Sequence, residues 1–252
     1  MKPRHPLRTT LCCLLAVGLA DDPTWATPPL VSGDVPTADH GTYELFLGYV
    51  FKDDGVITEE EIPFWELVYG LTSVHELTIE APLVRRDDPA GATIGLGDVV
   101  IGTKYRLLGK PAADSGLSTS LEVKLPTGNE RRGLGAGAAA VDLRARGGLE
   151  LGREVVYFNL GHTWVGEEGK DNTWFYSGVF DHPVRLNLRL LTEVYGKTAS
   201  ESGTPSTLAG TVGIKWRLPH RQQLQASIGR SLRHDRIGGP DLRVYAGWRR
   251  DF

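Results

Sequence analysis

Metal, redox and nucleophilic chemistry need side chains that converge, and this sequence offers few that could. Cys12 and Cys13 are its only cysteines. No spacing suggests a serine–histidine pair, and His162 is the one histidine placed inside an alternating stretch, while His75, His182, His220 and His234 fall in turns or loops. Asp53, Asp54, Glu59, Glu60 and Glu61 could surround a divalent cation, but their spacing fits no calcium loop and a solvated acidic loop is the simpler reading. Gly133-Leu134-Gly135-Ala136-Gly137-Ala138 mimics a dinucleotide fingerprint. No strand leads into it and no acidic partner follows, so it is read as an external loop able to fold into a pore. No catalytic, cofactor-binding or metal residue is assigned.

What the charged residues do have is order. Glu44, Glu66, Glu76 and Glu80 alternate with apolar residues early in the chain, followed by Asp98, Lys104, Arg106, Glu122 and Lys124. Further on the charged row is mainly basic: Arg144, Arg146, Arg185, Arg189, Lys215, Arg217, Arg243 and Arg249, with Glu193 among them. Period-two alternation is the mark of a strand with two unlike faces. These charges are therefore expected to line a lumen, an acidic wall opposite a largely basic one, with a transverse field between them. The competing reading is that they pair across the interior and close it.

The elements that position them are about twelve strands. The clearest is Pro240–Phe252, where Leu242, Val244, Ala246 and Trp248 oppose Asp241, Arg243, Tyr245, Gly247 and Arg249. After every second strand the link is short, as at 72–74, 152–153, 182–183 and 219–220; 109–116 is the long exception. The other links are longer and polar: 52–61, 85–95, 126–140, 166–172, 197–206 and 233–239. An even strand count with short turns at one end and long loops at the other predicts an all-β, transmembrane antiparallel barrel, with periplasmic turns and extracellular loops. A soluble barrel or sandwich would show the same alternation with the apolar row inside. Twelve strands enclose too wide a space for Leu and Val rows to fill, which favours apolar-out. Aromatics also gather towards row ends (Tyr43, Tyr49, Trp65, Tyr105, Trp164, Trp174, Tyr176, Trp216), as interfacial girdles require.

The rest of the chain fits export. Lys2, Arg4 and Arg8 precede an apolar run, Leu11–Leu19, too short to span a bilayer as a helix. Residues 1–26 are predicted to be a signal peptide, cleaved after Ala20 or, by the small residues of Thr24-Trp25-Ala26, after Ala26. The mature chain then has no cysteine and no disulfide. Residues 27–41, aperiodic and rich in Pro and Gly, are predicted as a periplasmic lead-in, and 42–252 as the barrel. A net charge of −3 with no basic block gives no reason to expect a nucleic-acid partner. No cofactor is called for.

Two resemblances narrow the reading. The terminal strand with Trp248 and Phe252 resembles the closing strand of bacterial outer-membrane barrels, which implies that these residues form a signal read by the barrel assembly machinery. The runs Glu66-Leu67-Val68-Tyr69-Gly70-Leu71-Thr72 and Gly95-Leu96-Gly97-Asp98-Val99-Val100-Ile101-Gly102-Thr103-Lys104-Tyr105-Arg106 resemble a family of outer-membrane transporters named after the meta pathway of phenol degradation. Leu125-Pro126-Thr127-Gly128, Asn159-Leu160-Gly161-His162-Thr163 and Glu193-Val194-Tyr195-Gly196 are similar to its later motifs, with His162 standing where that family usually has Tyr. The resemblance spans Tyr43 to Phe252. It implies a barrel embedded in outer-membrane lipid that takes up small, often aromatic, solutes by passive diffusion. The alternatives are a closed-lumen barrel with a structural or surface-binding role and, further off, an outer-membrane acyl hydrolase. The expectation carried forward is a channel, not an enzyme.

Overall fold

In the computed structural model, which describes residues 28–201, 204, 206–233 and 241–252, the alternating stretches become antiparallel strands. In chain order they are β1 (Tyr43–Asp53), β2 (Thr58–Thr72), β3 (His75–Glu80), β4 (Leu83–Asp88), β5 (Gly91–Leu96), β6 (Val99–Leu108) and β7 (Gly116–Leu125). They continue as β8 (Ala140–Leu151), β9 (Glu154–Val165), β10 (Thr173–Arg185), β11 (Leu188–Lys197), β12 (Thr207–Leu218), β13 (Gln222–Ser231) and β14 (Leu242–Asp251). The predicted signal peptide with both cleavage sites, Thr27 and His234 lie outside the described residues.

From β6 to β14 each strand pairs with the next in the chain, β3 bridges β2 and β6, and β1 pairs with both β2 and β14, so the sheet closes into a barrel of twelve staves. Two staves are broken. β3 stops at Ala81-Pro82, because proline cannot donate to the ladder, and β4 takes over the pairing against the outer half of β2, from Thr58↔Asp87 to Glu61↔Val84. β5 pairs back on β4 and rejoins the wall as β6 after Gly97-Asp98. The stretch 85–95, expected as a loop, is thus largely this hairpin. Tyr43 and Phe252 exchange backbone hydrogen bonds of 3.4 and 2.8 Å at the end that carries the short turns, the periplasmic end of this fold.

Burial settles which face is out. Asp142 and Arg144 on β8 have no exposed surface, while Leu143 between them is 44% exposed. Leu121, Phe158, Leu160, Val212, Ile214 and Ile228 are likewise exposed on the outer face. Every such leucine left in water forfeits about 1.5–3 kcal/mol of burial, a cost that a hydrocarbon surround removes. Closing the sheet satisfies the backbone that lipid cannot. The fold is that of an outer-membrane β-barrel.

The interior is filled by something other than the wall. Residues 28–41, expected as a periplasmic lead-in, instead run inside the barrel. Gly41 donates its N–H to Gly70 O at 2.7 Å near the periplasmic end, and Gly70 donates to Thr42 O at 3.0 Å. From there the segment crosses the lumen to β9–β13. Leu30, Val31, Val35 and Ala38 are all at least 96% buried. The backbone lies so close to the wall that a Cβ on Gly70 would fall 2.0 Å from Asp39 O, and one on Gly33 would fall 2.3 Å from Arg146 Nε. At Gly70, where the neighbour is backbone, only glycine fits.

Candidate functional site in the barrel lumen

The lumen segment is fastened along its length by side chains of the wall. Glu193 on β11 accepts from Val31 N at 3.0 Å and from Ser32 N at 2.7 Å, and its carboxylate also contacts the Ser32 hydroxyl, which touches Ser177 Oγ. Asn159 Oδ1 accepts from Gly33 N at 3.3 Å, and Glu76 Oε2 from Ala38 N at 2.6 Å. Ser227 donates to Pro29 O. Asp34 stands between cations on separate strands, 3.6 Å from Lys104 Nζ and 3.8 Å from Lys215 Nζ. Sequence reasoning missed Asp34, Ser177 and Asn159, because nothing in an aperiodic segment says which wall it will meet.

Beneath the segment the wall is apolar. Leu30 and Val35 pack with Val155, Tyr157, Val179 and Leu191 of β9–β11. Val31 packs with Phe175, Tyr195 and Ala209, and Phe175 lies under the Arg144 guanidinium, 4.2 Å from ring centroid to Cζ. On the other side Ala38 joins Phe46, Val50, Phe64, Val68 and Tyr245. Two aromatic-bearing patches therefore face each other across the lumen, each covered by residues 28–41.

This arrangement corrects the expected field. Glu44, Glu66, Glu76 and Glu80 do face inward on β1–β3, but the staves opposite, β9–β11, present the apolar patch and not a basic wall. The cations find carboxylates nearby instead: Lys104 with Glu76 at 2.9 Å, Arg144 with Asp142 at 2.9 Å, Arg146 with Glu122 at 3.6 Å, Arg189 with Asp181 at 2.6 Å and Arg249 with Glu44 at 2.6 Å. Short-range pairing wins because desolvated charges lose more than a distant field returns. Arg185 and Arg217 are not buried in the lumen; both are exposed at the periplasmic rim. A bulge between Pro183 and Arg185 changes the register there, which the alternation did not reveal.

Other predicted residues serve the loops. Asp98 accepts from Gly128 N and Ala136 N, both at 2.8 Å, and so holds the 126–139 connection that contains the glycine-rich run. That loop packs through buried Leu134 against Gly95 and does not enter the lumen segment's contacts. Arg106 donates to the carbonyls of Ala113 and Ser115 and shapes the 109–115 turn. Lys124 is half-buried and Arg243 is buried in the wall. The acidic group at 53–61 is occupied locally: Lys52 pairs with Glu59 and Glu61, and Arg85 with Glu60. His162 points outward between Trp164 and Trp174, with ring centroids 4.6 and 4.5 Å away, as a member of the aromatic girdle. Trp248 donates to Gln222 Oε1 at 2.9 Å, and Phe252 lies exposed beside Arg250.

At the periplasmic end a cavity of about 300 Å³ remains between the lumen segment and β1–β3, β6 and β14.

Solved structures share this architecture. The outer-membrane channel COG4313 from Pseudomonas putida F1 superposes with a TM-score of 0.74 at 20% identity, covering 87% of this chain and 98% of that one. The KdgM porin, solved with disordered oligogalacturonate, gives 0.56 at 9% identity over 82% and 99% of the two chains. The CymD monoaromatic hydrocarbon channel gives 0.51 at 8% identity over 85% and 89%. No curated protein matches the sequence. The family described as "Putative MetA-pathway of phenol degradation" matches residues 38–236, most of the chain, and the protein belongs to that family.

Proposed function

We propose that the protein is a passive uptake channel of the outer membrane for small hydrophobic or aromatic solutes, gated by residues 28–41. One observation carries this reading: the segment that fills the lumen covers apolar, aromatic wall on both sides. A wall that was only ever to be sealed could close with its own side chains, whereas this one would expose a solute path on the segment's departure. Ordering each residue of the segment costs about 1–2 kcal/mol, which offsets much of the roughly 1.5–3 kcal/mol that each buried side chain contributes. CymD, a monoaromatic hydrocarbon channel, and the family's link to phenol degradation support solutes of this class.

The paired interior charges favour a second reading, a barrel that stays closed and serves a structural role. One experiment separates the two. Ser32 and Ser177 touch through their hydroxyls, and the only cysteines of the chain are in the predicted signal peptide. The double variant Ser32→Cys/Ser177→Cys should therefore form a disulfide that pins the segment. In liposome flux assays with benzoate or phenol, the reduced form is expected to conduct and the oxidised form to be blocked. Equal flux in both redox states would end the gating model, and no flux in wild type or reduced variant would favour the closed barrel.

Export through a signal peptide at 1–26 and recognition of Trp248 and Phe252 by the assembly machinery complete the proposal.

A further inference from the structure

The periplasmic cavity has a feature that the gate does not require. Of its three cations, Lys104 is engaged by Glu76 and Asp34 and Arg249 by Glu44 and Asp251, while Arg221 is exposed to solvent at the periplasmic turn. Glu66 lies on the β2 wall of the same cavity. Its Oε2 is buried and has no hydrogen-bond partner among the described residues. Its cross-strand neighbours are Phe46 on β1 and Glu80 on β3, neither of which is a donor at its end. A buried acceptor without a donor costs about 1–3 kcal/mol, so a hydrogen-bond donor reaching this oxygen would be stabilised.

The surroundings say which kind of donor. Six carboxylates and three cations line the cavity, so the field inside favours positive charge. A bare metal ion would need several oxygens converging on it, and Glu44 and Glu76 are tied to Arg249 and Lys104. An organic ammonium carries three N–H donors, which Glu66 Oε2 and the other carboxylate oxygens lining the cavity can share. Phe46 and Val68, each buried, supply an apolar side to the same space. At about 300 Å³ the cavity is at the small end of ligand clefts, about 300–1,000 Å³, and suits a body of one ring.

We propose that this cavity binds a small primary amine on an aromatic body, its ammonium donating to Glu66 and its ring set against Phe46 and Val68. Residues 34–42 form the opposite side, so the site exists while the lumen segment is in place and lies on the periplasmic face of the gate. The inference deepens the channel reading by naming a solute class at its exit, but binding itself does not depend on flux.

The test is calorimetric titration of the detergent-solubilised protein with 2-phenylethylamine, beside its neutral and anionic isosteres 2-phenylethanol and phenylacetate. The amine is expected to bind, the alcohol at least tenfold more weakly, and phenylacetate not measurably. Glu66→Gln keeps the shape and removes the charge. It should weaken the amine tenfold or more while leaving the melting temperature unchanged or raised. If that variant fails to assemble, Ala38→Leu, which fills the cavity from the lumen segment, should abolish amine binding instead. Alcohol binding as tight as the amine, an unaltered affinity in Glu66→Gln or Ala38→Leu, or no binding of the amine at millimolar concentration would overturn the site. Absent binding with redox-gated flux intact would remove the site and leave the channel; binding without flux would do the reverse.

Discussion

At the scale of single residues, Glu193 matters most to the state of the lumen. It holds two consecutive backbone N–H groups of the segment, Val31 and Ser32. Glu193→Ala would leave both donors buried and unpaired, at about 1–3 kcal/mol, which is roughly 5- to 150-fold in the ratio of open to closed states. Single-channel recordings should show a higher open probability, with strand content by circular dichroism unchanged, because the ladder does not pass through this carboxylate. A variant that conducts like wild type would place the fastening elsewhere. The residue's inward position was legible from alternation along Glu193-Val194-Tyr195, but its partner was not. Val31 and Ser32 sit in a stretch with no period, and a carboxylate's choice between a cation and a backbone is made in three dimensions.

The elements divide by how they announce themselves. β8 is readable because Asp142, Arg144 and Arg146 strictly alternate with Val141, Leu143 and Ala145. β4 and β5 are not, since Pro82 and Gly97 interrupt the period where the wall folds outward into a hairpin, and breakers read as loop. The 126–139 connection reads as an external loop, yet its anchoring by Asp98 has no signature, because one carboxylate caps two amides distant in sequence. Asp98→Ala should free this element alone. Trypsin cleavage at the exposed Arg131 and Arg132 is expected to accelerate tenfold or more, with barrel melting little altered. Cleavage at the wild-type rate would mean that Leu134 packing suffices to hold the loop.

For the molecule as a whole, the inversion of burial makes the lipid the larger part of its solvent. Leu121, 45% exposed on the outer face, illustrates the cost of a mistake there. Leu121→Arg should lower unfolding free energy in liposomes by about 2–4 kcal/mol if the site is near the bilayer midplane. An effect below 0.5 kcal/mol, the size of about an ordinary surface change, would mean that this face is not in hydrocarbon. Its neighbour Ser120 faces in but is 2% exposed in a filled interior, so the lumen is no more forgiving of bulk than the lipid is of charge. Assembly adds a separate prediction. Deleting Phe252 removes the hydrogen-bond exchange with Tyr43 and the terminal aromatic together. Membrane yield in cells should fall severalfold while refolding into detergent is nearly preserved; equal losses in both would assign Phe252 a structural role only.

The seam between β1 and β14 sets a timetable for the chain. Every other stave can zip onto the one made just before it, but β1 must keep one flank unmatched until β14 arrives nearly two hundred residues later, and loop-closure entropy rises with that separation. Residues 28–41 lie immediately ahead of β1, on the waiting side of the seam. While the ring is still an open sheet they can settle sideways against β9–β13. Once Tyr43 and Phe252 have joined, the same residues can reach that place only by threading lengthwise. The order of those two events, packing and closure, decides whether the newborn barrel starts life shut or open.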